Sequence, residues 1–176
     1  MLDHFECCGV ESTIVKLTGE DSLVLLRPGA VTYDALCCVC SDVTVSDAVT
    51  HTLKENERPL SPGMKYRHYA PAKPLVLVDG SADARLAFFK EKQASESCVI
   101  ICYDEQASEL GGGTICIGAE TDLTTQAHRI FAALRESNGV DGERIYANLP
   151  STEGYGLAIY NRLIRAAAHT VIKLEN

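Results

Sequence analysis

The sequence predicts an α/β protein whose last hundred or so residues form a parallel sheet covered by helices on both faces. Two observations carry that expectation. From about Pro74 onward, short runs of continuously apolar residues recur, as in strands buried on both faces. Between them lie stretches with apolar residues at helical spacing, the crossovers that parallel strands require.

The elements follow in order. PLVLVDG, beginning at Pro74, is a short strand, and Ala82 to Lys92 a helix with Ala82, Leu86 and Phe89 on one face. SCVIICYD and TICIGAE are the second and third strands. Thr124 to Ser137 is the clearest helix, with Ala127, Ile130, Phe131 and Leu134 forming an i, i+3, i+4, i+7 stripe. RIYANL is the fourth strand, and Gly156 to Ala168 a closing helix that turns Leu157, Tyr160, Ile164 and Ala167 inward. Residues 74–176 thus read as a self-sufficient, Rossmann-like domain.

Two zones precede it. In residues 1–40, GVESTIVKL and SLVLLRPG read as a β-hairpin around a turn at Gly19 to Asp21, with a short helix in TYDALCCVC. Two strands and one short helix bury too little to stand alone, so this zone needs a partner layer. Residues 41–73 are rich in proline and polar residues and read as a connector. Within it, SPGMKYRHYAP packs Lys65, Tyr66, Arg67, His68 and Tyr69 between prolines. Such residues suit either a loop that touches a ligand or a strap that packs on its neighbours, and composition does not choose.

The bulk numbers exclude some functions. With 16 basic and 24 acidic residues and a net charge of -8, the chain lacks a broad phosphate-binding surface, so direct tRNA binding is not expected. No apolar run reaches the roughly 18 residues of a membrane span, and MLDHFECC is not a signal peptide, so a cytoplasmic location is expected. The 8 cysteines then read as thiols. Cys37, Cys38 and Cys40 are too close together for a C-x-x-C pair and no histidine lies at ligand spacing, so no protein-bound metal is expected. Cys98, Cys102 and Cys116 sit in apolar runs as small hydrophobes.

A candidate anion site follows the fourth strand. Ser151, Thr152, Gly154 and Gly156 offer hydroxyls and backbone N–H groups at a helix N-terminus; a plain helix cap is the commoner use of such residues. Gly111 to Gly113 is not a phosphate loop, since it precedes a strand and lacks a Gly-Lys-Ser/Thr ending.

Three motifs carry a family resemblance. GVESTIVKL with LVLLRPGAVT resembles the end of the YrdC-like catalytic fold. SPGMKYRHYAP is similar to the linker of the long, two-domain threonylcarbamoyl-AMP synthases, and GYGLAIYNRLIRAAA to their closing helix. The resemblance implies a nucleotidyltransferase that makes threonylcarbamoyl-AMP and pyrophosphate from L-threonine, bicarbonate and ATP, with Mg2+ accompanying the ATP, for tRNA threonylcarbamoyladenosine modification. It implies that Ser12 and Thr13 bind threonine, that Arg27 pairs with ATP phosphate, and that Arg67, His68 and Tyr69 close over the nucleotide. Lys16 departs from the family, which usually carries an acidic residue there. In the family most of the YrdC-like domain lies upstream, including a Lys-x-Arg pair and a Ser-x-Asn element, so this chain alone is expected to be incomplete. The other reading is a non-catalytic, ligand-binding or regulatory α/β module.

Overall fold

A computed structural model describes residues 10, 12–50 and 70–175. They form two sheets. The first has the order β1-β2-β3, from Ile14–Leu17, Ser22–Arg27 and Asp42–Val45; the second has five strands, β4 (Leu75–Asp79), β5 (Cys98–Cys102), β6 (Thr114–Cys116), β7 (Arg144–Asn148) and β8 (Val171–Lys173), in the order β6-β5-β7-β4-β8.

The hairpin forms where expected: β1 runs antiparallel to β2, with Val15 opposite Leu25 and Leu17 opposite Leu23. Helix α1 (Tyr33–Cys37) starts at Thr32, whose side chain accepts from the Ala35 N–H. The stretch read as connector opens with structure: β3 pairs in parallel with β2, and a 3-10 turn follows at Asp47–Val49. A four-residue strand with only polar residues beside Val43 and Val45 gives little hydrophobic signal, and its pairing comes from β2.

The second sheet is parallel throughout. Its strands alternate between two cores. Leu75, Leu77, Val99, Ile101, Ile145 and Ala147 face helices α4 (Leu123–Glu136) and α5 (Gly156–Ala166). Val76, Val78, Ile100, Cys102 and Tyr146 face Phe89 of helix α2 (Ala82–Ser95). The stripe on α4 is as expected, with Ala127, Ile130 and Leu134 buried and Phe131 half-buried.

On α2 the expected inner face needs correction: Ala82 is exposed and Leu86 half-buried, while Arg85 and Phe89 are buried. Arg85 takes the core-facing position because its guanidinium pairs with Glu120 and lies over the Tyr103 ring, 5.6 Å from the centroid. On α5, Leu157, Ile164 and Ala167 are buried as expected and Tyr160 is half-buried; Asn161 is buried too. A short helix α3 (Asp104–Ala107) and strand β8 complete the elements around this sheet.

The first sheet's missing partner is α5. Leu157 packs with Leu23, Leu25, Leu36 and Val49, so one helix is shared by two cores. Val10, shortly before the first strand, is likewise buried in the core of the second sheet. Among the described residues, no helix is long and apolar enough to cross a membrane.

Candidate functional site

The site is built where Ser12 and Thr13 cross the end of β2. Arg27 closes that strand, and its Nε donates to the Ser12 carbonyl at 3.1 Å. Thr13 Oγ1 both donates to the Val31 carbonyl and accepts from the Val31 N–H, each at 3.0 Å. A register irregularity between Ile14 and Val15 sets Ile14 opposite Arg27, the end of the pairing. Pro28 and Gly29 then turn the chain beneath Ser12. A Cβ on Gly29 would lie 2.5 Å from the Ser12 carbonyl carbon and 2.7 Å from the Thr13 nitrogen. Only glycine allows that approach.

The corner therefore assembles Ser12, Thr13 and Arg27, three residues chosen from sequence. Ser12 is exposed and Arg27 half-buried. A guanidinium held at Nε has its plane fixed, and its terminal nitrogens form the fork that suits a phosphate or carboxylate. Arg67, His68 and Tyr69 lie outside the described residues.

Ser151, Thr152, Gly154 and Gly156 lie elsewhere, in the loop from β7 to α5. Ser151 Oγ accepts from the Glu153 N–H at 3.1 Å, and the Glu153 carbonyl accepts from the Gly156 N–H at 2.7 Å. The N-cap of α5 is Tyr155, without a side-chain cap bond, so neither hydroxyl caps the helix. Gly156 is buried, and a Cβ there would lie 2.3 Å from the Ser151 carbonyl oxygen. Thr152 and Gly154 line a cavity of about 680 Å³, opposite Tyr33, Asp34 and Asp47. Glu153 lies in the same wall. Three carboxylates around one cavity oppose a bound anion and favour a ligand rich in hydrogen-bond donors.

A polar cluster not anticipated from sequence lies near the carboxyl ends of the second sheet's strands. Gln106 and Asn148 exchange side-chain amide hydrogen bonds of 3.3 and 2.7 Å while both are buried. Nearby, burial pushes the Tyr103 phenol up to about 12, against the opposing charge of Arg85. These polar residues occupy inward positions that a search for apolar periodicity passes over.

Among the described residues, no group of three or more His, Cys, Asp or Glu could hold a metal ion. Cys102 and Cys116 face each other across β5 and β6 with sulfurs 3.9 Å apart. Burial, and then the neighbouring Cys116, push the Cys102 thiol up to about 12. Cys37 and Cys38 are exposed. At pH 8, mass-resolved labelling with iodoacetamide is therefore expected to modify Cys37 and Cys38 at least about tenfold faster than Cys102, because the thiolate is the nucleophile. Equal rates would show that β5 and β6 open readily.

Comparisons with known proteins bear on the whole chain. Residues 31–168 match the family model described as threonylcarbamoyl-AMP synthase, C-terminal domain. The threonylcarbamoyl-AMP synthase of Bacillus subtilis (strain 168) is 36% identical over 169 residues, covering 94% of this chain and 47% of that protein. The Pyrococcus abyssi (strain GE5 / Orsay) protein of the same name is 32% identical over 174 residues, covering 94% and 48%. A crystal structure described as P. abyssi Sua5 complexed with L-threonine aligns with a TM-score of 0.79 at 29% identity, over 94% of this chain and 48% of that one. The chain thus spans about half the length of the curated relatives it matches.

Proposed function

We propose, from the premise that this chain belongs to the threonylcarbamoyl-AMP synthase family, that it supplies one wall of a site forming L-threonylcarbamoyladenylate. The observation that carries the reading is the corner where Arg27 holds the Ser12 carbonyl and Thr13 is tied to Val31. The two catalytic-fold motifs, apart in sequence, meet there. Ser12 and Thr13 bind threonine, and Arg27 faces the phosphates of ATP, which enters with Mg2+ as substrate. The YrdC-like character of this first sheet, Arg67, His68 and Tyr69 closing over the nucleotide, and the cytoplasmic setting of tRNA modification belong to the same proposal.

The reaction asks for positioning and for cations near developing charge, more than for a strong nucleophile. The threonine amine takes up bicarbonate as a carbamate, releasing water. A carbamate oxygen then attacks the α-phosphorus as the bond to pyrophosphate breaks, which is nucleotidyl transfer. Arg27 stabilises negative charge on the phosphate oxygens during that displacement.

The surface of the first sheet supports a partner there. Val15, Leu17, Val31, Val39 and Val45 are the exposed large hydrophobics among the described residues, and all five lie in residues 15–45. That pattern suits a layer that packs on more protein. The test is pyrophosphate release with ATP, L-threonine and bicarbonate, by this chain alone and mixed with the upstream portion of the B. subtilis relative. Release only in the mixture is expected. Release by the chain alone, or none in a mixture whose complex is shown to form, would contradict the proposal.

The rival reading, a ligand-binding module without catalysis, draws on the carboxyl ends of the second sheet's strands, where Gln106 and Asn148 lie. It predicts that residues 74–176 keep a ligand when 1–73 are removed.

A further inference from the structure

Helix α5 carries a second stripe that its own domain does not use. Leu157, Asn161 and Arg165 recur every four residues, on one face of the helix. Leu157 enters the first sheet's core. Asn161, 1% exposed, donates from Nδ2 to the Val49 carbonyl at 2.6 Å. One turn further, Arg165 donates from Nη2 to the Ala48 carbonyl, also at 2.6 Å. Both acceptors are late carbonyls of the Asp47–Val49 turn, where a helix end leaves carbonyls in need of donors.

From this turn a hydrogen-bonded route leads to the candidate site. The Val49 N–H donates to the Ser46 carbonyl at 2.8 Å, and the Ser46 N–H to the Leu25 carbonyl at 3.0 Å. Leu25 lies two residues before Arg27 on β2, hence on the same side of the strand. Arg27 in turn holds Ser12. An apolar seam could have joined the domains without fixing their orientation. Directional bonds from one buried and one half-buried side chain to two successive carbonyls fix it.

We infer that Asn161 and Arg165 are positioning residues, through which the second domain holds the turn and β2 so that Arg27 and Ser12 stand in register. The functional consequence rests on the synthase reading; the mechanical one does not.

The experiment is hydrogen exchange followed by mass spectrometry on the full chain, for the native protein and for Asn161→Leu, Arg165→Met and Arg165→Lys. With either donor removed, amides of residues 22–27 and 42–49 are expected to exchange roughly tenfold faster or more, as local opening becomes easier. Amides in β5 and β7 keep their native rates, and Arg165→Lys recovers most of the protection. Should Asn161→Leu fail to fold, the two Arg165 variants carry the comparison. Unchanged exchange in residues 22–27 would overturn the inference. So would equal acceleration in all strands, which would make these residues ordinary supports of the whole fold. In the mixed pyrophosphate assay, Arg165→Met is expected to lower kcat at least about fivefold, with Arg165→Lys restoring it. Faster exchange with unaltered kinetics would overturn the positioning role. A native mixture without activity would instead contradict the synthase reading, and leave the exchange result to decide the mechanical claim.

Discussion

Arg27→Ala is expected to lower pyrophosphate release by the mixed system at least about a hundredfold, the usual loss when one preorganised donor to developing charge is removed. The expectation follows from the corner's geometry. Arg27 Nε is held by the Ser12 carbonyl, so the rest of the guanidinium is presented in a fixed plane. Alanine removes the fork and also the tie between β2 and Ser12. Arg27→Lys is expected to recover only a small part of the activity. A lysine keeps the charge, but as a point charge without the Nε that holds Ser12 or the planar fork that the proposal sets against a phosphate. Because Arg27 is half-buried at a strand end, the fold should survive, and circular dichroism of the variant should overlay the native spectrum. A loss of less than about threefold would remove Arg27 from the reaction.

Gly29→Ala should be nearly as damaging, for a steric reason. The added methyl would stand 2.5 Å from the Ser12 carbonyl carbon, 2.6 Å from its oxygen and 2.7 Å from the Thr13 nitrogen. All three are backbone atoms, so no side-chain rotation relieves the clash. Overpacking of this kind costs on the order of 1–3 kcal/mol, and here the cheapest escape is for Ser12 and Thr13 to lift away. The bonds of Thr13 to Val31 and of Ser12 to Arg27 would go with it. Activity in the mixture should fall at least about tenfold, and hydrogen exchange in β1 should quicken while β5 and β7 stay protected. Gly154→Ala is the control. It has φ +51 but open space around a Cβ, so it should cost only about 1 kcal/mol of backbone strain and leave the corner intact. Equal damage from both substitutions would show that the Gly29 approach has no special part.

Much of the fold was legible because its signals are hydrophobic and local. Continuous apolar runs announced β4, β5 and β7, and the stripe on α4 announced a buried face. What escaped was polar or short. Arg85 occupies a core position through Glu120 and Tyr103, and no apolar period marks it. Strand β3 owes its place to pairing with β2, not to its own composition. Asn161 has no place in the apolar pattern of the closing helix, yet it is a buried donor to a turn 112 residues away in sequence. Such a contact has no local signature, because its partner is a backbone carbonyl that any residue could supply. For the site, Ser12, Thr13 and Arg27 were accessible through motifs, and the structure adds that they share one corner. Thr152 and Gly154 were also noticed, but the carboxylates opposite them come from a different part of the chain. Their acidity could not be inferred from the glycine-rich loop alone.

The most direct test of the central claim is incorporation of labelled bicarbonate into threonylcarbamoyl-AMP, with the upstream portion of the B. subtilis relative mixed either with residues 1–176 or with residues 74–176. The account predicts product with the full chain and none with the shortened one, because the Ser12, Thr13 and Arg27 corner lies in the part removed. Equal product from both mixtures would contradict it, and would place this chain's contribution in the second domain alone.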